Sequence, residues 1–257
     1  MLKLTKQLYE YDPSSVFMDY YEKTLINHIV PSHDQSGPTG GSTYFMPLQP
    51  GAEKHFDLKE NSCCHGTGLE SHFKYQESIY WHNNDELYVA LYVPSTLDWK
   101  EKNMQITQSG DFLEDEKVTL NIHGCGRIKL KLRIPDWFNR EPELTLNSEK
   151  VSSICECGYV MLERDFEDGD KVELMLPFSL RFEKSPDRPE IISIHNGPLV
   201  MAAIDSREEF IELPSGKQPD EILEPTDTPH QYKFGDIIFK PCYNMDDCRY
   251  HVYLKQI

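Results

Sequence analysis

The sequence predicts an α+β protein in which helices are followed by an antiparallel β-sandwich. In the first part of the chain, apolar residues recur every four positions, at Phe17, Tyr21, Leu25 and Ile29. This spacing is helical. From residue 79 the apolar period changes to two, and short alternating segments follow one another with turn sequences between them. We therefore expect a helical part at 1–78 and a β-sandwich at 79–257.

Three helical stretches are expected in the first part. The opening residues keep helical spacing, at Met1, Leu4, Leu8 and Tyr11. No capping residue precedes this helix, which is typical of a chain cut from a longer protein. A loop rich in Gly, Pro and Ser at 31–42 and a short extended segment, TYFMPLQP, follow the second helix. The third helix is expected at 66–78, where Leu69 and Phe73 lie one turn apart.

Alternating segments define the β part. The clearest are KVTLNIHG, RIKLKLRIP, PELTLN, YVMLER and KVELMLP, and before them ELYVALYVP is largely apolar on both sides, as in a buried strand. Two further strands flank the Asn-Gly-Pro turn within 191–204, and closing strands are expected within 236–257. Residues 205–232 are rich in proline and acidic residues, so we expect a long surface excursion there. The β part is predicted to fold without the helices, because its strands can bury one face against a second sheet.

Composition excludes several classes of function. The 257 residues include 43 acidic and 26 basic side chains, which gives a formal net charge of −17. A nucleic-acid-binding protein needs a basic face, so nucleic acid is not an expected partner. No apolar run approaches the roughly 20 residues of a membrane span. The first residues, MLKLTKQLYEYD, lack the apolar segment of a signal peptide. A periplasmic or secreted location of the complete protein stays open.

The seven cysteines include one adjacent pair, Cys63 and Cys64. An odd number of cysteines does not indicate a disulfide scaffold, and adjacent thiols rarely pair with each other. The pair precedes an expected helix, whose N-terminal partial positive charge favours a thiolate. Two thiolates also suit zinc, which needs four ligands. The residues alone leave open a metal site, a nucleophile, and two buried cysteines that pack as small hydrophobes.

The segment around this pair, SCCHGTGLESHFKYQESIYW, resembles the double-cysteine motif of bacterial β-L-arabinofuranosidases of glycoside hydrolase family 146 and its relative family 127. The segments TYFMPLQPG before it and LYVALYVPSTLDWKEKNMQITQ after it are similar to the same families in order and spacing. KLKLRIPDWF extends the resemblance into the β part. The resemblance covers nearly the whole chain and is less clear after about residue 205.

This resemblance implies a fold and a mechanism. The family's catalytic domain is an (α/α)6 barrel followed by β-sandwich domains, so residues 1–78 would correspond to the last barrel helices. The implied reaction is retaining hydrolysis of L-arabinofuranosides on plant polysaccharide or glycoprotein glycans. The implied nucleophile is the thiolate of Cys63, held by zinc, and Cys64 corresponds to a second zinc ligand.

The resemblance also implies residues that this sequence does not contain. The family's other zinc ligands are a Glu and a Cys in a Glu-x-Cys motif upstream of the pair, and its acid/base Glu lies further upstream. The glutamates ahead of the pair stand in no such motif; they are Glu10, Glu22, Glu53 and Glu60. We therefore expect the C-terminal portion of such an enzyme, with an incomplete zinc site and no turnover alone. Its expected partner is the missing N-terminal half of the barrel.

Other side chains near the pair have both a functional and a structural interpretation. Tyr44 stands where the resemblance implies a substrate-contacting tyrosine, but an aromatic on a short strand also suits core packing. His65 and His72 lie seven residues apart, roughly on one helical face. Either can contact a sugar hydroxyl or a metal, or serve as a structural histidine. Glu70 suits a supporting role in the site or a salt bridge on the helix.

Two rival functions remain on the sequence alone. One is a non-catalytic β-sandwich module that binds carbohydrate or supports a partner domain. The other is a zinc-stabilised structural protein without turnover. An assay with a chromogenic arabinofuranoside separates the enzyme from both rivals, and metal analysis separates the rivals from each other.

Overall fold

The computed structural model describes residues 1–34, 41–57, 62–110, 113–246 and 248–257. Over these residues the chain is mostly β-sheet with few helices. The α-helices are α1 (Leu2–Tyr11), α2 (Ser15–Thr24) and α3 (Cys63–His72). A π-helical turn continues α2 at Leu25–Ile29. Short 3-10 turns lie at Val30–Ser32, Lys100–Lys102, Pro219–Glu221 and Cys242–Asn244.

The strands are short and follow one another closely. In chain order they are β1 (Ala52–Glu53), β2 (Tyr80–Asn83), β3 (Glu86–Val89), β4 (Ser95–Trp99), β5 (Met104–Ser109), β6 (Lys117–His123), β7 (Gly126–Arg133), β8 (Glu143–Leu146), β9 (Glu149–Lys150), β10 (Ile154–Glu156), β11 (Tyr159–Phe166), β12 (Lys171–Met175), β13 (Leu180–Lys184), β14 (Ile191–Asn196), β15 (Leu199–Ile204), β16 (Glu212–Leu213), β17 (Glu224–Pro225), β18 (Tyr232–Phe234), β19 (Ile237–Pro241), β20 (Arg249–His251) and β21 (Leu254–Gln256). The alternating segments found in the sequence all contain strands.

The described chain forms two compact units. The first unit is Met1–Glu22 with Gln76–Phe178, and the second is Lys23–Tyr75 with Ser179–Ile257. One break between the units, after Tyr75, lies close to the predicted change from helical to strand-rich sequence. The assignment of domains to 1–78 and 79–257 stays a prediction about how the chain is organised.

The first unit contains a β-sandwich. One sheet has five strands in the order β10-β11-β7-β3-β2, and the other has six in the order β4-β5-β6-β12-β8-β9. Inward side chains from both sheets share one core, which includes Val89, Ile106, Leu120, Leu130 and Val172. The alternation of apolar and polar residues along each strand is what places one set of side chains inside this core.

The sandwich departs from the predicted antiparallel pairing at one place. Strands β3 and β7 run parallel, with Glu86 opposite Lys129 and Val89 opposite Leu132. The strands between them in sequence, β4 to β6, belong to the other sheet, so the chain returns to the first sheet in the same direction. All the other pairs described in the two sheets are antiparallel.

A buried cluster of charged side chains joins α2 to the sandwich. Arg133, the last residue of β7, is fully buried, and its Nε donates to the carbonyl oxygen of Ala90 at 2.6 Å. Its terminal nitrogens donate to Asp19, at 2.5 Å, and to Glu22. The indole Nε1 of Trp137 donates to the second carboxylate oxygen of Glu22 at 2.8 Å. A buried guanidinium is tolerated here because carboxylates neutralise its charge.

Helix α1 packs through polar and aromatic residues rather than its apolar stripe. Thr5 and Tyr9 are the buried positions, and the Tyr9 hydroxyl lies 2.6 Å from the Tyr159 hydroxyl. The Tyr9 ring packs against Trp81 with centroids 5.1 Å apart. The residues that predicted this helix are exposed, namely Met1, Leu4, Leu8 and Tyr11. The helix is therefore confirmed, and its apolar stripe faces away from the sandwich core.

The second unit contains a ten-stranded sheet. Its main path is β16-β21-β14-β15-β19-β18-β17; β13 pairs with β14, β20 with β15, and β1 with β20. Only β16 and β21 are parallel among the described pairs of this sheet. The predicted excursion at 205–232 contains β16, a 3-10 turn and β17. Among the described residues, no helix is long and apolar enough to cross a bilayer.

Candidate functional site

The two cysteines form the first turn of α3. The sequence predicted a helix that begins after them, but α3 runs Cys63–His72. It begins earlier because Ser62, in an extended conformation, caps it, and the Ser62 hydroxyl accepts the backbone N–H of His65 at 3.4 Å. Both thiols are free and exposed. The interpretation as two buried cysteines is therefore wrong for this pair.

The spacing of the two sulfurs suits metal coordination. The Sγ atoms of Cys63 and Cys64 are 3.8 Å apart. Two thiolates about 2.3 Å from one tetrahedral zinc ion lie about 3.8 Å from each other. Within the part of the chain that the structure describes, no group of three or more His, Cys, Asp or Glu side chains is arranged to hold a metal. The pair therefore fits two of four zinc ligands.

Tyr44 lies near the first turn of α3, where its ring centroid is 5.9 Å from that of His65. Its implied contact with substrate stays a prediction. Hydrogen bonding and charge interaction with Cys64, and then the charge of Cys63, raise the pKa of Tyr44. The phenol therefore stays protonated at neutral pH. The ring is about half exposed and packs edge-on against Phe45, with centroids 4.4 Å apart. The core-packing interpretation of Tyr44 is therefore wrong.

His65 is held between the cap of α3 and Tyr44. Its Nδ1 lies 2.7 Å from the Ser62 hydroxyl, and its ring centroid lies 5.9 Å from that of Tyr44. The Nε2 atom is buried without a hydrogen-bond partner in the described structure. A buried ring nitrogen of this kind can bind a sugar hydroxyl, so His65 keeps both its structural role and its predicted substrate-binding role.

Two histidines, His33 and His72, lie together near the C-terminal end of α3. The rings of His33 and His72 are 4.8 Å apart, and the Nδ1 of His72 forms a short hydrogen bond with the Tyr75 hydroxyl. Burial, and then the neighbouring His33, lower the pKa of His72. Burial raises the pKa of Tyr75 to about 12. The sequence identified His72 but not His33, because the two are 39 positions apart and only the fold brings them together.

An open groove of about 690 Å³ lies along residues 43–57. Tyr44 is one of its lining residues, and the ring of Tyr44 also lies 5.9 Å from that of His65 on α3. The other lining residues are Thr43, Phe45, Met46, Pro47, Leu48, Gln49, Glu53, His55, Phe56 and Asp57. The sequence predicted only a short extended segment here, because a groove depends on contacts that local spacing does not reveal.

The remaining candidates lie apart from this cluster or are engaged elsewhere. Glu70, near the end of α3, pairs with Lys74 four residues further on at 3.1 Å, which agrees with the structural interpretation. Glu60 lies outside the described residues. The other cysteines are free; Cys125, Cys155 and Cys157 are exposed, Cys242 is buried and Cys248 is partly buried.

Comparison with known families follows this geometry. Residues 1–77, which include the cysteine pair, match the family model described as Beta-L-arabinofuranosidase, GH127 catalytic domain. Residues 86–178 match the model described as Beta-L-arabinofuranosidase, GH127 middle domain. Two separate segments of the chain therefore match GH127 domain models. GH127 is glycoside hydrolase family 127, which the sequence analysis named as a relative of family 146. The second matching segment, residues 86–178, covers most strands of the sandwich.

Solved GH127 structures share the fold. One is the crystal structure of Ara127N, a GH127 beta-L-arabinofuranosidase from Geobacillus stearothermophilus T6, with a TM-score of 0.76 and 20% identity over 100% of this chain and 48% of that one. Another is the GH127 beta-arabinofuranosidase BT3674, with a TM-score of 0.81 and 20% identity, over 100% of this chain and 48% of that one. A third, described as a glycoside hydrolase, has a TM-score of 0.79 and 17% identity, over 99% of this chain and 51% of that one.

At 17–20% sequence identity, the similarity to these three structures establishes the fold alone. The chain spans about half the length of each of the three structures. No curated protein is a significant match to the chain.

Proposed function

We propose that this chain is part of a retaining β-L-arabinofuranosidase in which Cys63 is the nucleophile. The observation that carries the proposal is the exposed cysteine pair at the start of α3, within the segment that matches a GH127 catalytic domain. The position of Tyr44 supports it, because its ring lies 5.9 Å from that of His65 in the first turn of α3 and also lines an open groove. Assignment to family 146 rather than 127 rests on the resemblance of the motif segments alone.

The proposed reaction proceeds in two displacements at the anomeric carbon. The Cys63 thiolate attacks this carbon, and a C–S bond forms as the glycosidic C–O bond breaks. The leaving oxygen takes a proton from a general acid. Water then attacks the same carbon, its proton passes to the same group acting as a base, and the electron pair of the C–S bond returns to Cys63.

Each side chain near the pair has a role in this scheme. The helix N-terminus stabilises the negative charge of the Cys63 thiolate. The Tyr44 ring packs near His65, and the Nε2 atom of His65 is suited to bind a sugar hydroxyl. The resemblance assigns the general acid to a glutamate upstream of the motif, and no described residue of this chain takes that role in our proposal.

Zinc is the implied cofactor, and Cys63 and Cys64 would hold it. Their sulfur spacing fits two ligands of a tetrahedral ion, as described above. When bound, zinc would keep the sulfur deprotonated and oriented at neutral pH. The remaining ligands would be a Glu and a Cys that the resemblance assigns to a Glu-x-Cys motif upstream of the pair.

The rest of the proposal concerns the complete protein. Its substrates would be L-arabinofuranosides on plant polysaccharide or glycoprotein glycans, and residues 1–78 would form the last helices of an (α/α)6 barrel. The exposed apolar stripe of α1 supports this, since Met1, Leu4 and Leu8 present an apolar surface suited to another helix.

The test is an activity assay on the protein expressed from its complete gene. We expect release of p-nitrophenol from p-nitrophenyl β-L-arabinofuranoside by the wild type. Replacement Cys63→Ser should abolish release, whereas Cys155→Ser, which changes an exposed cysteine of the sandwich, should leave it unchanged. Equal activity in wild type and Cys63→Ser would refute the proposed nucleophile, and release by neither would favour the non-catalytic module.

A further inference from the structure

Two imidazole rings lie together at the C-terminal end of α3. The ring centroids of His33 and His72 are 4.8 Å apart, with an angle of 58° between the ring planes. Two imidazoles bound to one metal ion through nitrogen, with bonds of about 2.1 Å at roughly 90–110° to each other, have centroids roughly 4.5–5.2 Å apart. The separation of the two rings is therefore that of two ligands of a single metal ion.

His72 has a ring nitrogen suited to bind a metal ion. Its Nε2 atom is buried without a hydrogen-bond partner in the described structure, and its Nδ1 atom forms the short hydrogen bond with the Tyr75 hydroxyl. When Nδ1–H donates to the phenol oxygen, the lone pair lies on Nε2, and metal-bound histidines usually hold their other ring N–H in this way. Burial, and then the neighbouring His33, lower the pKa of His72, which favours the neutral, metal-binding form.

The second ring is carried by a segment of defined backbone. His33 forms a β-bridge with Ser42, and the backbone N–H of Thr43 donates to the carbonyl oxygen of Ser32 at 2.9 Å. These contacts hold the chain on each side of the bridge, so His33 approaches the end of α3 from a fixed position. A metal ligand needs a position of this kind, because loosely held side chains bind weakly.

The position of the two rings favours a cation and separates them from the cysteine pair. His72 is the last residue of α3, where the partial negative charge of the helix C-terminus attracts positive charge. Cys63 is the first residue of the same helix, so roughly 13–14 Å of helix axis lies between the two ends. Bonds from a metal ion to its ligands are about 2.0–2.3 Å long, so one ion cannot reach both ends.

The ligand set identifies the class of metal. Within the described residues, no third His, Cys, Asp or Glu completes a group with the two rings. Water or an added ligand would therefore fill the remaining positions, and the ion would exchange readily. Imidazole nitrogen suits divalent transition metals such as Ni²⁺, Cu²⁺ and Zn²⁺, whereas Mg²⁺ and Ca²⁺ prefer oxygen ligands.

We propose that His33 and His72 form a second metal site, which binds an exchangeable divalent transition-metal ion and links the end of α3 to the segment around His33. An ion that binds the folded chain more tightly than the unfolded chain stabilises the fold by mass action. Tyr75 is a positioning residue, because its hydroxyl orients the His72 ring. The site is independent of the proposed function, since neither ring belongs to the cysteine pair.

The test is Ni²⁺ binding to the 257-residue chain that carries Cys63→Ser and Cys64→Ser, so that the thiol pair does not compete for the metal. Isothermal titration calorimetry measures affinity, and thermal melts with and without NiCl₂ measure stabilisation. We expect Ni²⁺ to bind and to raise the melting temperature. His33→Gln and His72→Gln should each remove both effects.

Two further variants make the comparison specific. Tyr75→Phe should weaken Ni²⁺ binding about tenfold, which is the usual effect of losing a hydrogen bond to a metal-bound histidine. The matched control is His82→Gln. This histidine also packs against an aromatic ring, that of Trp99 at 5.4 Å, but it is not packed against a second histidine. His82→Gln should leave the affinity and the melting temperature with Ni²⁺ unchanged.

A protection experiment tests the site without replacing either histidine. We expect Ni²⁺ to slow the modification of His33 and His72 by diethyl pyrocarbonate, mapped by mass spectrometry, and not that of His82. Equal protection of all three residues, or equal affinity in the His33→Gln and His82→Gln forms, would show that the rings form no site. Binding without a rise in melting temperature would overturn the link between α3 and the segment around His33.

Discussion

At the scale of single residues, the position of Cys63 differs from that of the five cysteines outside α3. It is the first residue of α3, where the unpaired N–H groups of the first turn favour a thiolate. Cys125 is also exposed but lies between two glycines, outside any helix. Both thiols are therefore accessible, and Cys63 has in addition the N-terminus of a helix beside it.

We predict that iodoacetamide alkylates Cys63 faster than Cys125 in the folded chain, because the thiolate is the reacting form. Peptide mapping by mass spectrometry after short exposure gives the two rates. The same comparison in guanidinium chloride is the control, since the helix is lost there and the rates should converge. Slower or equal labelling of Cys63 in the folded protein would count against an activated thiol.

Asp19 provides a pH-dependent test of the buried Arg133 cluster. Burial raises the pKa of Asp19 to about 6, against the lowering effect of Arg133, and the nearby Asp136 and Glu22 carboxylates add to the rise. The folded state therefore binds a proton more tightly than the unfolded state does. The contribution of Asp19 to stability is present below its unfolded pKa of about 3.9 and falls as pH rises to about 6.

We therefore predict that Asp19→Asn removes a pH-dependent term from the free energy of unfolding. Relative to the variant, the wild type should lose roughly 2–3 kcal/mol between pH 4 and pH 6. Urea denaturation at several pH values measures the difference, with Asp168→Asn as the control for a largely exposed carboxylate. A difference that stays constant with pH, or rises with it, would contradict the shifted pKa.

At the scale of elements, much of the fold could be predicted from the sequence. Strands β6, β7 and β12 lie where KVTLNIHG, RIKLKLRIP and KVELMLP alternate, because that local pattern selects one face for the core. The parallel pair β3 and β7 could not be predicted, since strand pairing depends on contacts far apart in sequence. The pairing of β1 with β20, which supports the groove, was missed for the same reason.

The candidate site divides in a similar way. The cysteine pair and its helix were visible in the sequence, although Ser62 starts α3 three residues earlier than expected. The resemblance to a family singled out Tyr44 only as a substrate-contacting residue, and its packing near His65 on α3 had no signal in local spacing, because the two are 21 positions apart. The contact between His33 and His72 had no signal in the sequence.

The link between α2 and the sandwich should be sensitive to loss of Glu22. We predict that Glu22→Ala destabilises the protein by about 3–5 kcal/mol, because it leaves the buried Arg133 with one carboxylate and the Trp137 N–H without its acceptor. Glu22→Gln keeps an oxygen for Trp137 and should cost less. Chemical denaturation measures both.

The matched control for this prediction is Glu163→Ala. Glu163 pairs with Arg127 at 3.0 Å, but both side chains are exposed. Removing an exposed ion pair costs at most about 1 kcal/mol. Similar losses for Glu22→Ala and Glu163→Ala would mean that the Arg133 cluster contributes no more than a surface pair does.

The structure changes one expectation about independent folding. From the sequence, the β part was expected to fold without the helices. Arg133 is fully buried, however, and its carboxylate partners Asp19 and Glu22 come from α2. A segment of residues 76–178 without α1 and α2 would leave an arginine without its ion-pair partners on the sandwich.

We accordingly predict that residues 76–178 alone are much less stable than the same sandwich in the whole chain. Arg133→Met should raise the melting temperature of this segment, because it removes the unpaired charge, whereas in the whole chain it should lower it. Circular dichroism melts of the four proteins give the comparison. A stable wild-type segment that Arg133→Met does not improve would show that the helices are dispensable.

At the scale of the whole molecule, ligand counting predicts the behaviour of the 257-residue chain. The described residues offer two thiols at zinc spacing and no third ligand beside them. Loss of two ligands weakens a zinc site, and loss of a general acid alone costs typically 10²–10⁴-fold in rate. We predict substoichiometric zinc and no release of p-nitrophenol from p-nitrophenyl β-L-arabinofuranoside.

Metal analysis after dialysis and a long-duration assay check this prediction, with the complete gene product as the positive control. One equivalent of tightly bound zinc together with turnover in the 257-residue chain would contradict it. The missing ligands and acid would then lie within the chain, and Glu60 and Glu70 would be the first residues to replace.

The central claim is that the Cys63 sulfur forms a covalent bond to the sugar. The most direct measurement is rapid acid quenching of the complete protein during turnover of p-nitrophenyl β-L-arabinofuranoside, followed by peptide mapping by mass spectrometry. We expect one arabinosyl group on the peptide that contains Cys63, with its loss in Cys63→Ser. An arabinosyl group on a carboxylate, or turnover in which no peptide is ever modified and the product has inverted configuration, would contradict the account.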